Sequence, residues 1–308
     1  MTHSGSWLKV ARVPVFQANE LLGASYQLYR HAETNETILR TMSYSLPIAL
    51  QDHVGTIAPT TFFGSPRNLR KTHHMHDGAS AVVTSMPREV TGRDYGGNDY
   101  ITPSYITTLY NTAGYVPNAT SKNVFGISAF DGSSPSLTDV NLFMQQFFPD
   151  VTMVIFNVVP INGAEYDPGQ PNGQEDFNLQ YAEGLTYPTP VVFYSTGGLP
   201  PFKPDDSTPT DVNEPFLDWL EYMLDQPNIP QTITVGYGDN EQTVPLDYAT
   251  NVCKLFAQFG ARGVSVLFAS GDSGVGMGDC VANDGSGDVH FLPMFPASCK
   301  FYVFVQLI

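Results

Sequence analysis

No run of apolar residues in this sequence approaches the ~20 that a membrane-spanning helix needs. The longest, such as Val151–Phe156 and Phe301–Val305, are far shorter, and no membrane partner is expected. Bases are scarce too. Lys and Arg number 14 against 30 Asp and Glu, so the formal net charge is 14 − 30 = −16. A field of that sign repels phosphate, which excludes nucleic acid as an expected partner. Cysteine is sparse, with three residues: Cys253, Cys280 and Cys299. An odd count leaves at least one thiol outside any intrachain bridge. The opening residues, MTHSGSWLKV, lack the apolar core of a secretory leader. The expectation drawn from them is a cytoplasmic chain. Its Cys253 would then be a buried free thiol, with Cys280 and Cys299 close but reduced.

What is present is the composition of a globular protein: 42% hydrophobic residues, 27 Gly and 24 Pro in 308 positions. The chain divides by character. Residues 1–63 mix strand and helix signals. WLKVARVPVF and ILRTMSYSLP look like strands, and QANELLGASYQLYRH has helical spacing. Residues 64–100 are rich in Gly, Ser, Pro and charge. They carry five of the 14 bases, Arg67, Arg70, Lys71, Arg88 and Arg93, and look like a linker.

From residue 101 to 308 the pattern is α/β. Apolar strands are predicted at 123–130, 151–159, 190–195, 232–237 and 263–270. Helical patterns lie between them: LTDVNLFMQQFF, QEDFNLQYAEG, VNEPFLDWLEYML and LDYATNVCKLFAQFG. Continuous apolar strands alternating with helices predict a parallel sheet covered on both faces. Function in such sheets gathers at the carboxyl ends of the strands.

Several chemical motifs admit plain readings. SGDSGVG invites a trypsin-like nucleophile at Ser273, but that fold is all-β, and His290 has neither a neighbouring Cys nor an evident orienting Asp. His73, His74 and His76 could meet a metal on an extended chain, yet no nearby Cys or acids complete four ligands. Asp279, Asp284 and Asp288 match no EF-hand spacing and are expected to form a surface turn. Two glycosylation sequons occur, at Asn35 and Asn118.

Six stretches together resemble one family. They are SYSLP, PTTFFG, ITPSYITTLYNT, NLQYAEGLTYPTPVVFYSTGG, GARGVSVLFASGDSGVGMGDC and FLPMFPASC. The chain resembles the sedolisins, the serine-carboxyl peptidases that include fungal tripeptidyl peptidases. The resemblance implies a partial propeptide-like α+β unit at 1–63 before a subtilisin-like α/β domain with helices on both faces of a parallel sheet. It also implies secreted or lysosomal relatives. In that family a Glu takes the proton of a serine nucleophile, an Asp four residues on orients the Glu, and a second Asp lines the oxyanion site.

Carried over by the resemblance, the Glu position is Gln174, its partner is Asn178 and the oxyanion Asp is Asp272. Glu175 and Asp176 are adjacent and point ~100° apart, so they cannot replace the pair. The serine and the calcium site of the family would lie beyond Ile308, which makes the domain look C-terminally truncated. The expectation is therefore a non-catalytic homologue, its vestigial residues Gln174, Asn178 and Asp272 binding a small organic ligand, such as a pigment, or a peptide. The alternatives are a fragment of an acid-acting peptidase and a storage or regulatory protein. Apolar surface left open by truncation would favour a homodimer.

Overall fold

The structure is a computed structural model that describes residues 2–4, 7–9, 12–30, 37–51, 54, 57, 60–61, 101–118, 123–130, 134–151, 154, 156–169, 171–272 and 280–300. The linker expected at 64–100, with its three histidines, lies outside the described residues, as do Ser273 and Asp279.

The N-terminal region is built from short elements. Strands β1 (Thr2–Ser4) and β2 (Trp7–Lys9) pair antiparallel. Helix α1 (Val15–Leu22) follows Pro14, whose extended backbone stands at its N-cap. The sequence reading put residues 15–16 in a strand and carried helix through to His31, and the structure corrects both. Gly23 takes a left-handed φ of 53°, and its N–H returns to the Asn19 carbonyl, which closes the helix. Tyr26 N–H then donates to Asn19 Oδ1 at 2.8 Å. The alternating residues beyond form β3 (Gln27–Arg30), antiparallel to β4 (Thr37–Arg40), ahead of the single turn α2 (Ile48–Gln51). A period-2 segment thus outcompetes the helical spacing as soon as glycine stops α1.

The second region opens with α3 (Pro103–Leu109), where Thr102 Oγ1 caps the Tyr105 N–H and proline occupies the first turn. Five strands then alternate with helices. They are β5 (Phe125–Ala129), β6 (Phe156–Ile161), β7 (Val191–Thr196), β8 (Thr232–Val235) and β10 (Ser265–Phe268). The helices between are α4 (Leu137–Phe147), α5 (Gly173–Thr186), α6 (Phe216–Asp225) and α7 (Leu246–Ala261). All strand pairs in this sheet are parallel, and the order is β10-β8-β5-β7-β6. A small antiparallel pair joins β9 (Asp239–Asn240) to β11 (Met294–Phe295).

Four successive residues of β5, Gly126 to Ala129, are buried. Successive strand residues face opposite sides, so both faces of the sheet are covered. The helices pack in two pairs, α4 with α5 and α6 with α7. Trp219 anchors the second pair: its ring meets Phe130, Phe256 and Phe259 at centroid distances of 6.1, 5.9 and 5.6 Å. Offset and edge contacts of this kind add to the burial term.

The cysteines depart from the expectation. Cys253 of α7 is bonded to Cys299, 46 residues on, and Cys280 is the free thiol among the described residues. Spacing in sequence favoured Cys280 with Cys299, but the fold brings the Cys299 backbone to within 5.6 Å of Cys253. A thiol count under denaturing, non-reducing conditions should therefore give one per chain. Cys253→Ser should lower unfolding stability by about 2–4 kcal/mol. Three thiols, or no change in stability, would contradict this pairing.

Candidate functional site at the carboxyl ends of the strands

Strands β5, β8 and β10 release their chains side by side. Ala269 N–H still donates to the Val235 carbonyl at 3.1 Å, so the exits of β8 and β10 run together. Asp272 stands three residues beyond Ala269, exposed. After β8 the chain passes Gly236 to Tyr237, whose buried ring meets Phe130 at the exit of β5, 5.5 Å away and edge-on.

Helix α5 starts at this same end, because it follows the carboxyl end of β6. Asn172 caps it, its side chain accepting the Gln174 N–H at 3.0 Å. Gln174 and Asn178 are both half-buried, and they meet one turn apart: Gln174 Nε2 donates to Asn178 Oδ1 at 3.3 Å. Asn178 leans on the β8 exit so closely that a Cβ on Gly236 would lie 3.0 Å from its Oδ1. Gly236 is therefore a close-approach glycine; its φ is not in the left-handed region. The structure thus brings Gln174 and Asn178 together, and it pairs the chain at Val235, just before Gly236, with the chain at Ala269, three residues before Asp272.

The two carboxylates beside the amide pair, Glu175 and Asp176, are both buried. Glu175 is fully buried and accepts a hydrogen bond from the Tyr237 hydroxyl. Asp176 accepts the Ser136 N–H at 2.6 Å, which ties α5 to the start of α4. Burial pushes the Asp176 carboxyl up, against the pull of that hydrogen bond. One signal for Glu175 was present in the sequence: it shares the i, i+4, i+8 stripe of Leu179 and Glu183, and all three are buried.

The loop from β7 into α6, and the elements it touches, carry further acids. Asp205 accepts from the Thr208 N–H, Asn240 Nδ2 and Gln242 Nε2 at 2.6, 2.9 and 2.9 Å. Asp239 accepts the Glu214 N–H at 3.2 Å, and Asn213 N–H donates to Asp211 at 3.2 Å. Burial pushes Asp211 up to about 7. Burial, then the neighbouring Asp218 and Asp225, pushes Glu221 up to about 8. Farther out, Asp284 and Asp288 hold an exposed turn through Ser286, as a surface cluster should. Among the described residues, no group of three or more His, Cys, Asp or Glu is placed to hold a metal ion.

Comparison with known proteins agrees with this architecture. Residues 1–63 match the pro-kumamolisin activation domain. The chain is 34% identical over 309 residues to tripeptidyl-peptidase sed4 of Aspergillus fumigatus, covering 98% of this chain and 50% of that protein. It is 35% identical over 305 residues to the probable tripeptidyl-peptidase SED3 of Arthroderma benhamiae, again covering 50% of the relative. The chain is a homologue of sedolisin-family tripeptidyl-peptidases. It spans about half the length of the curated relatives it matches. A solved Pseudomonas sedolisin complexed with pseudo-iodotyrostatin overlaps 68% of this chain and 54% of its own, at 20% identity and a TM-score of 0.46. That overlap is too loose to carry residues across. In this sedolisin homologue, the positions expected from the resemblance thus hold an amide pair braced on Gly236, with the carboxylates one step around the helix.

Two expectations follow. Tyr237→Phe removes the donor to buried Glu175 and should cost about 1–3 kcal/mol, measured by denaturant unfolding. Asp211 and Glu221 hold their protons more tightly folded than unfolded. Their contribution is complete below the ordinary carboxylate range, about 4, and is lost as pH rises through about 7 to about 8. Unfolding stability should therefore decline from pH 4 to pH 8. Asp211→Asn should flatten that decline by up to about 4 kcal/mol. A stability profile that rises across this range would refute the assignment.

Proposed function

We propose that this sedolisin homologue is non-catalytic and holds peptides, uncleaved, along the carboxyl ends of β5, β8 and β10. The observation that supports this reading is the Gln174–Asn178 amide pair, hydrogen-bonded within itself at 3.3 Å. Hydrolysis by a serine nucleophile needs a base to take its proton, and a side-chain amide cannot do so at any ordinary pH. The carboxylate next to Gln174 in sequence, Glu175, is fully buried and engaged by Tyr237. Peptide is the favoured ligand because the relatives are named tripeptidyl-peptidases. Asp272, three residues beyond Ala269, is exposed, and a carboxylate there can take a peptide N–H or an amine. The half-length span supports a second reading, in which this stretch is one part of a larger peptidase.

The test uses the full 308-residue chain and fluorescein-labelled tri- to pentapeptides. No cleavage is expected from pH ~3 to ~7, the range where carboxylate catalysis operates. Anisotropy should report binding that Asp272→Ala weakens. Serine-dependent hydrolysis would overturn the non-catalytic reading in favour of the peptidase. Peptide indifference with a small organic compound retained through purification would replace the ligand. Loss of both would leave a storage or regulatory role. Gln174→Glu with Asn178→Asp adds two acids beside Glu175 and Asp176. The double variant should lose more thermal stability at pH 7 than at pH 4, as their repulsion grows with ionisation.

A further inference from the structure

Two neighbouring elements expose no charge, although the chain carries a net −16. Residues 101–118, which hold α3 and the turn after it, contain no Asp, Glu, Lys, Arg or His. Helix α5 carries no base, and its three acids, Glu175, Asp176 and Glu183, are all buried. The two elements are joined. The Tyr181 hydroxyl of α5 donates to the Ile101 carbonyl at 3.0 Å, just ahead of α3.

The same elements expose large apolar side chains. Ile101, Leu109, Tyr110, Tyr115, Val116 and Phe177 are between 52% and 74% exposed. The turn after α3 folds back on the helix: the Thr112 N–H donates to the Thr107 carbonyl at 2.8 Å, and the Tyr115 N–H to the Thr112 carbonyl at 3.0 Å. Tyr115 and Val116 thus stay near the end of α3. On α5 the Phe177 ring lies 4.9 Å from the Tyr181 ring, which links Phe177 to the Ile101 end. Six large side chains at such exposure offer on the order of 700 Å². The largest apolar patch on an ordinary monomer is ~300–600 Å². A standard stable interface takes ~800 Å² from each partner.

We propose that this face of α3 and α5 is an interface between two copies of the chain, packed about a twofold axis so that the same residues meet from both sides. Charge decides for the second copy. Two chains of net charge −16 repel each other in most orientations, and pairing through a face without exposed charge keeps their acids apart. A basic partner would find no exposed carboxylate among the described residues of these two elements. The interface is independent of whether the chain cleaves peptides.

Sedimentation velocity on the full chain tests the proposal. A concentration-dependent dimer is expected. It should tighten as salt rises from ~0.05 to ~0.5 M, because screening removes the repulsion between the copies. Tyr115→Asp brings like charges together at the twofold and should weaken dimerisation at least ~tenfold. Phe291→Asp, at a 76% exposed position outside this face, should leave it unchanged. Hydroxyl-radical labelling of the unmodified chain gives a readout that needs no variant: Tyr115 should be labelled in dilute monomer and protected in the dimer. A dimer lost in Phe291→Asp and kept in Tyr115→Asp would overturn the choice of face. A monomer at every concentration, or a dimer that loosens as salt rises, would overturn the interface. Tyr115 protected in the monomer would place another segment of the chain over the face and overturn the second copy as its occupant.

Discussion

The register of β5 between β7 and β8 is the constraint on which the rest of the molecule depends. Phe125 sits opposite Val191 on one side and Thr232 on the other, and each following residue keeps step. Parallel pairing of this kind is stable only when helices seal both faces, and the near-complete burial of β5 and β7 shows that they do. Once that register is set, the exits of β5 and β8 are side by side. Phe130, Gly236 and Tyr237 then have no other place to go. The start of α5 arrives at the same end, because a helix that follows a parallel strand begins where the strand stops.

Within that frame the chemistry turns on one step of helix rotation. An acid pair one turn apart, facing the strand exits, is the arrangement that activates a hydroxyl. Here that face carries Gln174 and Asn178, while the acids Glu175 and Asp176 are turned into the protein. The carboxylates remain in the first turn, where the helix dipole favours them. They serve as fasteners, one to Tyr237 and one to the backbone of Ser136.

Much of this could be read before the structure. The five core strands and four long helices follow from apolar periodicity, because a parallel sheet writes its burial directly into continuous apolar runs. The N-terminal region was less legible. There, short strands and an α1 with no buried residue leave no strong period to read, and Gly23 decides the boundary. At the site, the i, i+4 spacing placed Gln174 with Asn178. It could not supply Tyr237, which comes from a loop 62 residues from Glu175. Nor could spacing choose among three cysteines, since the pairing depends on where α7 ends up against the segment after β11.

That pairing has a topological consequence. Cys253 and Cys299 enclose the second half of α7, all of β10, Asp272 and β11 in one covalent ring. A single peptide-bond cut anywhere inside the ring opens a loop without releasing a piece. The exposed turn around Asp284 is the natural place for such a cut. A chain nicked there keeps β10 bonded to β8 and tethered on both sides of the break. A cut inside the ring divides the chain in two only when a reductant also opens the disulfide.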